Sequence, residues 1–144
     1  FGDLTRVSWE MIDLDARTIT IRAHKTGKLH LLPINDVLHW HLLHAPRVGE
    51  LVAPVHSRNH FRDAVHELCR CLEMSPVVPQ AIRRAAASEY ERVHPGAGAL
   101  LLGHTPPSTR VTWDHYIGAL EAVLRPASAK MAQPAAFVAA ITAP

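Results

Sequence analysis

The chain has 144 residues, 48% of them hydrophobic and 19% charged, which is the balance of one globular domain with a buried core rather than of a disordered segment. No apolar run approaches the ~20 residues that a membrane span requires, and no basic stretch followed by an apolar one marks a secretory leader. The formal net charge of +2 is too small for bulk charge to point to a nucleic-acid partner. The first residue is Phe1 rather than Met, so the chain reads as a fragment or a cut-out domain. Cys69 and Cys71 stand two apart on a predicted helix, where side chains do not face each other; no disulfide is expected, and a reducing cytoplasm fits. The eleven histidines are unusual, and they read as compositional drift rather than as a pH sensor.

In chain order, residues 1–11 read as the end of a helix, with Leu4, Val7 and Met11 spaced for one face. Asp13-Leu14-Asp15-Ala16 supplies a turn, and the β-branched run Thr18-Ile19-Thr20-Ile21 predicts a strand. Lys25-Thr26-Gly27-Lys28 is a hairpin loop, and the returning strand runs from Leu29 to Ile34 and is closed by Pro33. Asn35 or Asp36 caps a helix to about His44, with Val37, Leu38, Leu42 and Leu43 apolar, and Pro46 and Gly49 end it. The next helix carries Phe61, Ala64, Val65, Leu68, Cys71 and Leu72 on one stripe. Residues 80–93 predict a helix with Ile82, Ala85, Ala86 and Tyr90 inward, broken by Gly96 and Gly98. A short apolar helix at 97–102 leads into Gly103-His104, and a last helix runs from about 109 to 124. From Pro126 the chain is rich in Ala and Pro and reads as a linker with one apolar patch at residues 137–141. The fold expected is α+β, mainly helical, with a small hairpin or sheet near the N-terminus: one domain over 1–125 and a tail over 126–144.

Four side chains in this order make a metal-free kit for attacking a phosphodiester. Tyr116, twelve residues after His104, is a candidate covalent nucleophile, although an isolated tyrosine at this spacing is a half-buried helix residue. His104, after Gly103, is placed to bond a phosphate oxygen or assist proton transfer; taken alone it is a turn histidine. Arg83 presents a planar guanidinium suited to a phosphate and its pentavalent transition state, whereas Arg84 reads as a solvated helix residue. Lys25, at the hairpin, is placed to protonate a leaving 5′-oxygen; alone it is a solvated turn lysine. Among rival constellations, His41 and His44 share a helix face with no third ligand at metal-site spacing, and Lys25-Thr26-Gly27-Lys28 lacks the spacing of a phosphate-binding loop.

The order of these motifs carries more than any one of them. An acidic residue (Asp3) precedes Trp9-Glu10-Met11-Ile12-Asp13, a strand, Lys25-Thr26-Gly27-Lys28 and a strand ending in Pro33. Then follow Arg83-Arg84, Leu102-Gly103-His104 and Tyr116. This order resembles the catalytic domain of the tyrosine recombinases, the phage-integrase family, over roughly residues 2–120. The resemblance implies a DNA breaking-rejoining catalytic domain working without metal or nucleotide cofactor. Tyr116 would attack a DNA phosphate to form a 3′-phosphotyrosyl link, and the 5′-hydroxyl released would then attack a partner strand. It makes Arg83 the second active-site arginine, Lys25 the general acid, His104 the histidine beside the phosphate and Asp3 the support of the first arginine. The partners it implies are double-stranded DNA at the bacterial nucleoid and further copies of the chain, engaged through the C-terminal segment.

The sequence also departs from the family's pattern. The first arginine falls one position before Phe1, and Gln80 stands where a histidine usually precedes the second arginine. A glutamine can hydrogen-bond a phosphate but cannot relay a proton at neutral pH. The interval from His104 to Tyr116 is slightly long, with Pro106-Pro107 inside it, and the N-terminal DNA-clamping domain is absent from these residues. One missing transition-state arginine is expected to cost on the order of 10²–10³ in rate, so this chain alone is expected to have little activity. Two alternatives stand beside recombination: a homologue that binds DNA without cutting it, and a small helical module that uses its histidines for interaction or metal binding.

Overall fold

The computed structural model describes residues 2–24, 26–53, 55–103, 118 and 120–131. Its sheet is antiparallel and has three strands in the order β1 (Ile12–Asp13), β2 (Thr18–Arg22), β3 (Leu29–Pro33). The register pairs Asp13 with Thr18, Thr18 with Pro33 and Ile21 with His30. The predicted hairpin is therefore present, and the short β1 is an addition that the turn at residues 14–17 makes possible. Asp13 Oδ1 accepts from the Ala16 N–H at 2.7 Å and so closes that turn locally.

The N-terminal segment differs from the expected helix end. It forms two 3-10 turns, Leu4–Arg6 and Trp9–Met11, separated by extended residues. The reason is a tertiary pairing: Ser8 bridges Leu51, the Trp9 N–H donates to Glu50 O at 3.1 Å, and the Val52 N–H donates to Val7 O at 2.9 Å. Backbone groups spent on a distant loop cannot also close helical turns.

Helix α1 spans Asp36–His44, with Asn35 as the N-cap whose side chain accepts from the Leu38 N–H at 2.9 Å. Helix α2 spans Arg58–Cys71 and is capped by Ser57, whose Oγ accepts from the His60 N–H. Helix α3 spans Pro79–Val93, with its proline in the first turn, where a missing N–H costs nothing. Helix α4 spans Ala97–Leu101. The Glu91 carboxylate bonds the N–H groups of Gly96 and Gly98 and so satisfies its first turn.

Gly98 is not the breaker the sequence suggested. It lies inside α4, buried, and a Cβ there would stand 2.5 Å from Ala87 O. The glycine is what lets α4 lie directly on the backbone of α3.

Leu31 of β3, Tyr90, Ala97, Leu120, Leu124 and Ala127 form the core. Residues Leu120–Leu124 make a π-helical turn that runs straight into α5, Arg125–Lys130. The sequence read residues 126–130 as the start of a linker; instead Ala127 is fully buried and Pro126 occupies the tolerated first turn. The Arg125 guanidinium also donates to Ala16 O at 2.9 Å, which ties this helix to the sheet. The rest of the predicted tail, 132–144, lies outside the described residues, as does most of the helix expected at 109–124.

Two predicted stripes are rotated. On α2 the inward line is Phe61, Val65 and Cys69, while Ala64, Leu68, Cys71 and Leu72 are exposed. On α3 the buried residues are Ala87 and Tyr90, with Ala85 and Ile82 exposed, because this helix turns its second half toward α4 and α5. Both stripes were wider than the surface available to cover them. Among the described residues no helix is long and apolar enough to cross a membrane.

Leu120→Ala is expected to cost about 2–5 kcal/mol, the range for a fully buried leucine. Leu68→Ala, on the exposed side of α2, should stay within about 0.5 kcal/mol. Urea denaturation of the two variants checks this order.

Candidate functional site

The β-hairpin, the N-terminal turn, α3 and the end of α4 enclose a cleft of about 550 Å³. Asp3, Thr26, His30, Arg83, Leu102 and Gly103 line it. Each wall is held by a hydrogen bond between elements. Asp3 Oδ1 accepts from the His24 N–H at 2.8 Å, joining the N-terminal turn to the base of the hairpin loop. The His24 ring in turn bonds the Arg6 guanidinium at 2.7 Å. The loop closes by Ala23 N–H to Lys28 O and Gly27 N–H to Ala23 O, with Gly27 at φ +67. On the helical side, Arg83 Nη2 donates to Leu102 O at 3.2 Å and so fixes the turn that follows α4.

Gly103 sits at φ +73, and the imidazole of His30 lies against its Cα. A Cβ built at Gly103 would stand 2.0 Å from His30 Cε1. The left-handed backbone favours glycine, and any larger residue would also have to displace the His30 ring. Burial is the main influence on His30 and pushes its pKa below 6.5; Asp3 opposes this, while Lys28 and Arg83 add to it.

Of the residues expected to carry chemistry, Asp3 and Arg83 meet in this cleft. Gln80 lines a neighbouring cleft, also about 550 Å³, together with Arg58, Phe61, Arg62 and Arg83, so the Arg83 side chain lies between the two. Lys25, His104 and Tyr116 lie outside the described residues, although their neighbours Thr26 and Gly103 line the first cleft. The other tyrosine, Tyr90, is 7% exposed and belongs to the core. On α1, His41 and His44 each pack on the Trp40 ring, with His44 stacked at 4.3 Å. Among the described residues no group of three or more potential metal ligands occurs.

Sequence reading missed His30. The available signal was strand alternation: His30 and Leu32 share the face of β3 opposite the buried Leu31, and both line the cleft. No protein-family model matches this chain, and no curated protein or solved structure matches it.

Gly103→Ala is expected to destabilise the fold by about 1–3 kcal/mol through its left-handed backbone alone. Truncating the facing ring in Gly103→Ala/His30→Ala should recover only the part due to the clash; urea denaturation of both variants separates the two. The lowered pKa of His30 has its own consequence. Between 6.5 and the lower native value the unfolded chain binds more protons, so stability falls as pH drops through this window. His30→Gln should flatten that fall in urea denaturation followed across pH.

Proposed function

We propose that this chain is the catalytic part of an enzyme that cuts and rejoins DNA strands in site-specific recombination. The observation that carries the reading is the make-up of the first cleft. Asp3, the hairpin that bears Lys25, Arg83, and the Leu102-Gly103 turn that precedes His104 all wall one space, although they are up to a hundred residues apart in the chain. These are the positions that the order of sequence motifs singled out.

In this reading the Tyr116 oxygen attacks phosphorus as the bond to the 5′-oxygen breaks, and Lys25 gives that oxygen its proton. Arg83 carries the charge that develops on the non-bridging oxygens. It has five N–H donors and spends one on Leu102 O, which orients the guanidinium while leaving donors for a phosphate. His104 follows in sequence the turn that Arg83 and His30 hold. Asp3, held by the His24 N–H, supports an arginine supplied from before Phe1.

A second reading is DNA binding without cleavage, and one observation favours it: Gln80, in the place of a proton-relaying histidine, lines the adjoining cleft with Arg58 and Arg62.

A nicked suicide DNA substrate tests the proposal. Offered to the chain extended by one arginine before Phe1, it should yield a covalent protein–DNA adduct on a denaturing gel. Tyr116→Phe should abolish the adduct, and Arg83→Ala should slow its formation by on the order of 10²–10³. An undiminished adduct with Tyr116→Phe removes the nucleophile assignment. DNA binding with no adduct selects the non-cleaving reading.

A further inference from the structure

The described lining of the first cleft carries fixed charges of both signs and one imidazole. Among its described lining residues the charged side chains are Asp3 and Arg83, of opposite sign. A phosphodiester entering the cleft is an anion, and it would bring a negative charge onto the lining that His30 shares with Asp3 and Arg83. Among the described lining residues His30 is the one of a type that changes charge near neutral pH. Charged groups act on it from every side: Asp3 from the N-terminal turn, Lys28 from the hairpin, Arg83 from α3. His24 and Arg6 stand behind Asp3. In the empty cleft, burial lowers the proton affinity of the imidazole, Asp3 opposes this, and Lys28 and Arg83 add to it. An anion brought within a few ångströms reverses that balance, because an opposite charge nearby favours the protonated ring.

We propose that His30 is a further substrate-contacting residue of this cleft, and that a DNA phosphodiester binds there together with one proton taken from solvent onto the imidazole. The inference rests on the DNA reading of the same cleft. Linkage makes it reciprocal: the phosphate raises the proton affinity of His30 by the factor by which the proton raises phosphate affinity. Binding should therefore tighten as pH falls from about 8 to about 6, the range in which a histidine takes up its charge. The same contact has a structural side. His30 packs on Gly103, so a substrate that engages the ring also engages the turn leading to His104.

The experiment is calorimetric titration of the 144-residue chain with a short random-sequence DNA duplex near neutral pH, in two buffers of different ionisation enthalpy. Wild type should take up close to one more proton than His30→Gln, and its affinity should gain about tenfold more than that of the variant over the acid range. His56→Gln, at an exposed position outside the cleft, should behave as wild type. Equal proton uptake in wild type and His30→Gln overturns the proposal, as does an equal loss in His56→Gln. Should His30→Gln fail to fold, the His30 Cε1–H resonance of the wild-type chain is titrated with and without duplex; a pKa that does not rise on binding overturns the proposal. A wild-type chain that binds no DNA at any pH overturns the DNA reading itself and this inference with it, whereas binding without His30-linked protonation overturns this inference alone.

Discussion

The imidazole of His30 resting on the Cα of Gly103 is the contact on which the cleft depends. It is where the sheet and the helical layer meet on the side away from the core, and it leaves no room for even a methyl group. Arg83 holds the same turn from the other side through Leu102 O. The turn is thus gripped by a strand residue and a helix residue at once, and the mouth of the cleft takes its width from that grip. Behind it, β3 sends Leu31 in the opposite direction, into the core with Tyr90, Leu120 and Leu124. One strand serves both purposes because successive side chains point to opposite faces.

Glycine has a structural role twice in this molecule. Gly98 brings α4 onto the backbone of α3, and Gly103 brings the end of α4 onto the hairpin. Between them they fix α4 against both layers with little apolar area. The site is held by hydrogen bonds from side chain to backbone: Asp3 to His24, Arg83 to Leu102, and Glu91 to Gly96 and Gly98. Each such bond is worth about 1 kcal/mol net, but each is directional, and direction fixes how the elements around the cleft are set. Among the described lining residues Asp3 and Arg83 carry fixed charges of opposite sign, with His30 on the same lining.

Much of the local structure was legible in the sequence. The β-branched run Thr18-Ile19-Thr20-Ile21 lies in β2, Gly27 turns the hairpin at positive φ, and Asn35, one of two residues expected to cap α1, does so; each acts within a few residues. The N-terminal segment was not legible, because its backbone pairs with Glu50 and Leu51, and no local signal announces a partner that far away. The helical stripes were visible as apolar, but their inward edges were not: Leu68 and Ile82 satisfy the period and remain exposed. At the site, Arg83 and Asp3 were named from motif order, whereas His30 sat unremarked in a strand until the fold set it opposite Gly103.

The sequence by itself determined the β2–β3 hairpin and the caps of α1 and α2, since capping, turn chemistry and β-branching are interactions between near neighbours. The tertiary structure decided which face of each helix is covered, that the chain stays helical through Pro126, and that His30 and Arg83 hold one glycine turn between them. These outcomes depend on how closely separate elements approach, and a distance between residues far apart in the chain is set only when the layers pack.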